Sequence, residues 1–166
     1  NPISFRNVSR SKAGVFGATR SNPLVAIGAY ALLPNHFHLL VTPITEDGVS
    51  QFMQRLSTAY VMYFNRKYDR VGSLFEGLFR SKHADTDQYL KYLFAYIHLN
   101  PISKNDRGPA SVKKALQYEY SSLCDYLDVE RDEGLILTAE AFPAYFSNAD
   151  EIIAELHSWL DYDPEI

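Results

Sequence analysis

The chain holds a single cysteine, Cys124, in 166 residues. That excludes an internal disulfide framework and a zinc site built on thiolates, and it makes a reducing cytoplasm the simplest setting. Cys124 itself reads as a small buried residue rather than a nucleophile. No apolar run approaches ~18 residues, so no transmembrane helix is expected. The start, Asn1-Pro2-Ile3-Ser4, lacks a basic-then-apolar leader, and the missing initiator Met points to a trimmed or partial chain. There is no Gly-rich phosphate-binding loop, no internal repeat and no low-complexity tract. Basic residues are scarce in the last third. Residues 119–166 hold one Arg against 13 acids, net −12, while residues 1–118 hold 15 of the 16 Lys and Arg and 7 of the 20 acids, net +8. The overall −4 therefore conceals a basic body with an acidic appendage, an asymmetry that fits a nucleic-acid partner or simply a solvated acidic tail.

Aromatic residues are abundant, with 12 Tyr and 10 Phe. Length and apolar content suit one domain with a real core. Residues 3–8 suggest a weak first strand and 9–23 a loop. Two short apolar runs, 24–33 and 36–42, meet across Pro34-Asn35 and read as an antiparallel pair. From Val49 the spacing turns helical through Phe52, Met53, Leu56, Tyr60, Tyr63 and Phe64, ending near Tyr68. Residues 70–83 suggest a hairpin or irregular strand. Asp85 with Gln88 three residues on predicts a helix start. Leu90, Leu93, Phe94 and Ile97 form the stripe of that helix, and Pro101 stops it. Short helices are expected over 110–117, 119–127, 138–146 and 149–161. The mixture predicts an α+β fold with an antiparallel sheet.

Two constellations carry chemistry. In His36-Phe37-His38, alternation on a strand puts both imidazoles on one face and Phe37 on the other, a geometry that suits two ligands of one metal ion. Alone, His-x-His arises often by chance and equally describes two ordinary strand histidines. In Tyr96-Ile97-His98-Leu99-Asn100, four-residue spacing on a helix aligns Tyr96 with Asn100. Tyr89, Tyr92, Tyr96 and Asn100 fall within about 80° of one another along one edge of the apolar stripe. For Tyr89 and Tyr92 the simpler reading is a half-buried ring with a wetted hydroxyl, and Asn100 alone reads as a helix-end cap. His98 points away from that row, and neither it nor His83 belongs to a motif.

Four segments together resemble one family. Tyr30-Ala31-Leu32-Leu33-Pro34-Asn35-His36-Phe37-His38-Leu39-Leu40 is similar to the Y-x-(M/L)-P-N-H-x-H-L-L segment of the REP-associated tyrosine transposases, a branch of the single-tyrosine HUH transposases. Gly72 through Ser81 resembles that family's G-x-L-(W/F)-Q-G-R-F-K-S, Tyr96 through Pro101 its Y-I-x-x-N-P, and Tyr120 through Leu123 its W-S-S-Y. Glu76 and Leu78 stand where the family has Gln and Arg, which makes this segment less basic. Residues 9–23 fill a gap where the family has a helix of several turns.

The resemblance implies a ferredoxin-like antiparallel sheet carrying the histidine pair, flanked by helices. It implies a single-tyrosine domain over 1–127 and an acidic helical extension over 128–166, packed on the same domain. It also implies roles: Tyr96 as nucleophile, His36, His38 and Asn100 as metal ligands, and Mg²⁺ or Mn²⁺ as cofactor, with nitrogen ligands tilting affinity toward Mn²⁺. The implied reaction cleaves and rejoins single-stranded DNA through a 5′-phosphotyrosyl bond. A free phenol titrates near ~10 and is a weak nucleophile at neutral pH, so a metal that polarises a phosphate oxygen is chemically apt. The implied partner is single-stranded or hairpin DNA, including repetitive palindromic elements, taken by a monomer, with a dimer as the alternative. A host-adopted DNA-binding protein without catalysis is the rival reading, and a metal-dependent phosphodiesterase using water is a third. Arg6, Arg10, Lys12, Arg20, Arg66, Lys67, Arg70, Arg80 and Lys82 are the expected DNA contacts. Phe64, Tyr68, Phe75 and Phe79 interleave with the last five, as stacking platforms or, more simply, as core.

Overall fold

The computed structural model describes residues 16, 21–103, 105, 108 and 110–160. The expected strand over 3–8, with Arg6, Arg10, Lys12 and Arg20, lies outside the described residues.

The two apolar runs form an antiparallel pair, β1 (Val25–Leu32) and β2 (Phe37–Pro43). Pro34 and Asn35 sit in the turn between them, closed by Leu33 N–H donating to the His36 carbonyl at 2.8 Å. The register slips between Ile27 and Ala29, at Gly28. The ring of Phe142 lies 2.8 Å from where a Cβ on Gly28 would stand, so only glycine lets that ring approach the strand. On the outer edge of β1, Ala31 bridges to Ser121, Leu32 N–H donates to Tyr120 and Ser122 N–H to Tyr30. The Tyr120-Ser121-Ser122 segment thus runs beside β1 as a short strand-like edge, where the sequence pattern suggested helix. Helical winding begins only at Cys124–Leu127, as a 3₁₀ turn.

Helix α1 (Gly48–Lys67) follows β2. A Cβ on Gly48 would lie 2.2 Å from the Leu24 carbonyl, so the missing side chain lets the helix start against the sheet. Of its expected stripe, Met53 is buried and Val49 and Phe52 are half-buried, but Leu56, Tyr60 and Tyr63 are exposed. Residues 70–83 form no strand; they run as irregular chain, held to α1 by Asn65 Nδ2 donating to the Gly72 carbonyl at 2.8 Å.

Helix α2 (Asp87–Leu99) starts one residue later than the Asp85–Gln88 pair suggested, because Thr86 is the cap and its Oγ1 accepts from Tyr89 N–H at 3.2 Å. Its buried face carries Tyr92, Phe94, Ala95, Ile97, His98 and Leu99. Helix α3 (Ser111–Leu116) and helix α4 (Ala149–Ser158) follow α2. Between 138 and 146 only Ala139–Ala141 winds, as a 3₁₀ turn. Pro143 then has no N–H to continue a helix. One core joins these parts: Ala29 and Ala31 of β1, Phe94, Ala95, Ile97 and Leu99 of α2, Val112 and Ala115 of α3, Leu123, and Ile152 and Leu156 of α4. Each large apolar side chain so buried contributes about 1.5–3 kcal/mol. The result is α+β: an antiparallel sheet bearing the histidine pair, flanked by helices, with a C-terminal helix.

Arg131, the one basic residue of the acidic third, ties that third to β1. Its guanidinium donates to both Asp125 carboxylate oxygens, at 2.7 and 2.6 Å, to the Glu119 carbonyl at 2.6 Å, to Tyr30 Oη at 3.2 Å and to the Ser121 carbonyl. Burial pushes the Tyr30 phenol up to about 12, with the Arg131 charge opposing.

Candidate active site

β2 and the end of α2 bring four side chains together. Strand alternation puts the His36 and His38 rings on one face, centroids 5.0 Å apart and edge-on. Phe37 turns to the opposite face and meets Phe75 at 6.3 Å. Helix α2 then lays Tyr96 against His38, with ring centroids 5.2 Å apart. One turn on, Asn100 Oδ1 lies 3.3 Å from His36 Nε2. Asn100 is also the C-cap residue of α2, so the structure gives it both positions that the sequence allowed. The other His36 nitrogen, Nδ1, pairs with Asn35 Oδ1 at 2.7 Å, which orients the ring.

The donor chemistry fits a divalent cation. His38 Nε2 is buried and makes no hydrogen bond within the protein, an arrangement that is costly unless a ligand uses the lone pair. Burial first, and then the neighbouring His36, pull His38 below the ordinary imidazole value, against an opposing contribution from Asn100. This favours the neutral form that binds metals. Among the described residues no three His, Cys, Asp or Glu side chains gather to hold an ion, and the oxygen donor beside the imidazole pair is the Asn100 amide.

The tyrosine row is real, but Tyr89 and Tyr92 do not wet their hydroxyls as the simpler reading held. Tyr89, Tyr92 and Tyr96 run ring to ring at 5.8 Å per step. Tyr92 is buried, and Tyr89 Oη is a buried atom with no hydrogen bond. His98 lies off this row, as expected, fully buried, with Nε2 2.8 Å from Ser122 Oγ. Ser122 Oγ also accepts from Tyr30 N–H at 2.9 Å. The serine of the Tyr120-Ser121-Ser122-Leu123 motif thus clamps β1 to α2.

Arg66, Lys67, Arg70, Arg80 and Lys82 are all exposed. Three of them stand over rings: Lys67 Nζ 5.3 Å from Tyr68, Arg70 Cζ 5.6 Å from Phe64, and Lys82 Nζ 5.4 Å from Tyr89. The interleaved aromatics are not core. Phe64 and Phe75 are half-buried, and Tyr68 and Phe79 are 54% and 42% exposed. Rings left in water beside cations make a surface suited to stacking and phosphate contact. Cys124 is half-buried, with its thiol toward the Leu116 carbonyl. Sequence reading missed Arg131, whose importance lies in contacts up to 101 residues away, and Trp159, which packs on Tyr92 at 5.2 Å.

No curated protein and no solved structure matches the chain. A model of the IS200-like transposases matches residues 8–100. No helix among the described residues is long and apolar enough to cross a membrane. With the match running from before β1 to the amide at the end of α2, over more than half of the sequence, the chain belongs to the IS200-like transposase family.

Proposed function

We propose that this transposase nicks and rejoins single-stranded DNA with Tyr96 as nucleophile, and with His36, His38 and Asn100 as the ligands of Mg²⁺ or Mn²⁺. The observation that carries the reading is the contact of the Tyr96 ring with His38, beside a His36–Asn100 pair 3.3 Å apart. A bound divalent ion would supply Lewis acidity to a nonbridging phosphate oxygen. The chain's own residues do the rest. Asn35 orients the His36 ring, burial lowers the proton affinity of His38, and α2 sets Tyr96 beside His38. Tyr96 Oη bonds to phosphorus and gives up its proton, which ends on the departing 3′ oxygen. The phosphorus–oxygen bond to the 3′ side breaks, giving a 5′-phosphotyrosyl linkage and a free 3′-hydroxyl. A second DNA hydroxyl then displaces Tyr96 from phosphorus, so no nucleotide triphosphate is consumed.

The four motifs named above support the REP-associated branch. Within it the target is a palindromic hairpin with flanking single strand, bound by a monomer in the cytoplasm. Exposed Arg66, Lys67, Arg70, Arg80 and Lys82 track the backbone, and Tyr68 and Phe79 offer ring faces to unpaired bases. The 1–127 segment is the catalytic domain and 128–166 its acidic extension.

The test is a denaturing gel of the protein incubated with hairpin-bearing single-stranded DNA and Mn²⁺. A covalent adduct that disappears in Tyr96→Phe is expected. Cleavage surviving Tyr96→Phe would favour a water-using phosphodiesterase, and tight binding without cleavage would favour a DNA-binding protein without catalysis.

A further inference from the structure

Four rings stand in line across three elements. The Trp159 indole packs edge-on against Tyr92, with centroids 5.2 Å apart at 62°. Tyr92 packs against Tyr96 at 5.8 Å, and Tyr96 against His38 at 5.2 Å. The line starts at the C-cap of α4, beyond the residues 8–100 that the family model matches. Its first member is well held. Trp159 Nε1 donates to Glu155 Oε1 at 2.8 Å, and α4 is seated in the core by Ile152 and Leu156. Tyr92 is 5% exposed, so its ring has little room except the space the indole fills.

We propose that Trp159 is a positioning residue for Tyr96, acting through Tyr92. The indole keeps Tyr92 from turning outward, and Tyr92 in turn forms the wall that holds the Tyr96 ring against His38. The proposal rests on Tyr96 as nucleophile. It gives the C-terminal extension a part in the chemistry: the helix that carries the phenol is shared with the family, while the ring behind it is supplied from outside the matched segment. Misplacing a reacting group by about an ångström lowers rates on the order of a hundredfold, so small motions of Tyr92 matter.

The test uses the full chain with 3-fluorotyrosine placed at position 96, read by fluorine NMR without DNA or metal, alongside single-turnover cleavage with Mn²⁺. Trp159→Ala should shift or broaden the fluorine line, and Trp159→Phe, which keeps a ring edge, should largely restore it. Cleavage in Trp159→Ala should fall on the order of ten- to a hundredfold, with DNA affinity within about twofold and with rescue in Trp159→Phe. If Trp159→Ala does not fold, Trp159→Leu, which keeps apolar bulk without a ring, takes its place with the same expectations. A fluorine line indifferent to Trp159, or a rate loss that merely tracks lost DNA affinity, overturns the positioning. A wild-type chain that forms no adduct overturns the nucleophile assignment and the catalytic half of this proposal, whereas an adduct-forming chain indifferent to Trp159 overturns the positioning alone.

Discussion

Replacing Arg131 by alanine removes five hydrogen bonds at once, and the damage is calculable. Asp125 is only 5% exposed and Arg131 15%, so this pair is not the solvent-screened kind worth about 0–1 kcal/mol. Arg131→Ala leaves a buried carboxylate without its bidentate partner, and it frees the Glu119 and Ser121 carbonyls. Breaking one side of a buried pair costs about 3–5 kcal/mol. In a chain of this size each kcal/mol moves Tm by roughly 2–4 °C, so a fall of roughly 6–20 °C is expected. Because Ser121 bridges Ala31, and Ala31 pairs with His38, adduct formation should also weaken below the melting range. Urea and thermal unfolding followed by circular dichroism measure the loss. Removing both charges, as Arg131→Met with Asp125→Leu, should recover much of it, since the cost lies in the orphaned charge rather than in the absence of the pair. A single-variant loss below about 1 kcal/mol, the surface-pair range, would refute this account of how the acidic third is attached.

Stability should fall on acidification because His98 is buried and neutral, its pKa pulled by burial to about 3, while the unfolded imidazole takes up a proton near ~6.5. The unfolded state binds more protons between those values, so stability drops as pH falls through that window, by at most about 1.4 kcal/mol per unit; urea midpoints of wild type and His98→Met should diverge there, and parallel curves would refute the assignment. At the proposed metal site, Asn100→Asp retains an oxygen donor and should keep adduct formation with Mn²⁺, whereas Asn100→Ala, or chelation by EDTA, should abolish it on the same gel. Lys82→Ala should reduce the slope of log affinity against log salt for single-stranded DNA by about 0.7 if Lys82 contacts a phosphate; an unchanged slope removes it from the interface.

The side-chain pairs of the proposed site were legible because their signals are short-range. Alternation on a strand paired the imidazoles of His36 and His38, and one helical turn aligned Tyr96 with Asn100. The meeting of strand and helix followed from the family resemblance, not from either period. What escaped depends on tertiary packing. Leu56, Tyr60 and Tyr63 keep helical spacing yet stay in water, because the packing face of α1 meets the sheet mainly near its start, where Gly48 and Met53 are buried. Thr86 outcompetes Asp85 as the cap by one residue, a choice that propensity does not resolve. The stretch over 138–146 has helix-forming residues at 139–141 but closes on Pro143, and its Phe142 is spent against Gly28. Trp159 carried no motif at all; its relevance exists only through a neighbour 67 positions earlier.

The Ser122 hydroxyl touches both the Tyr30 backbone and the His98 ring, far inside the protein. One small buried side chain therefore pins the two scaffolds on which the reactive groups stand, at a point no incoming polymer can reach. In the proposed reaction, nucleic acid would meet parts already aligned by this buried contact. Substitutions in the exposed irregular segment over 70–83 would leave this buried fastening untouched.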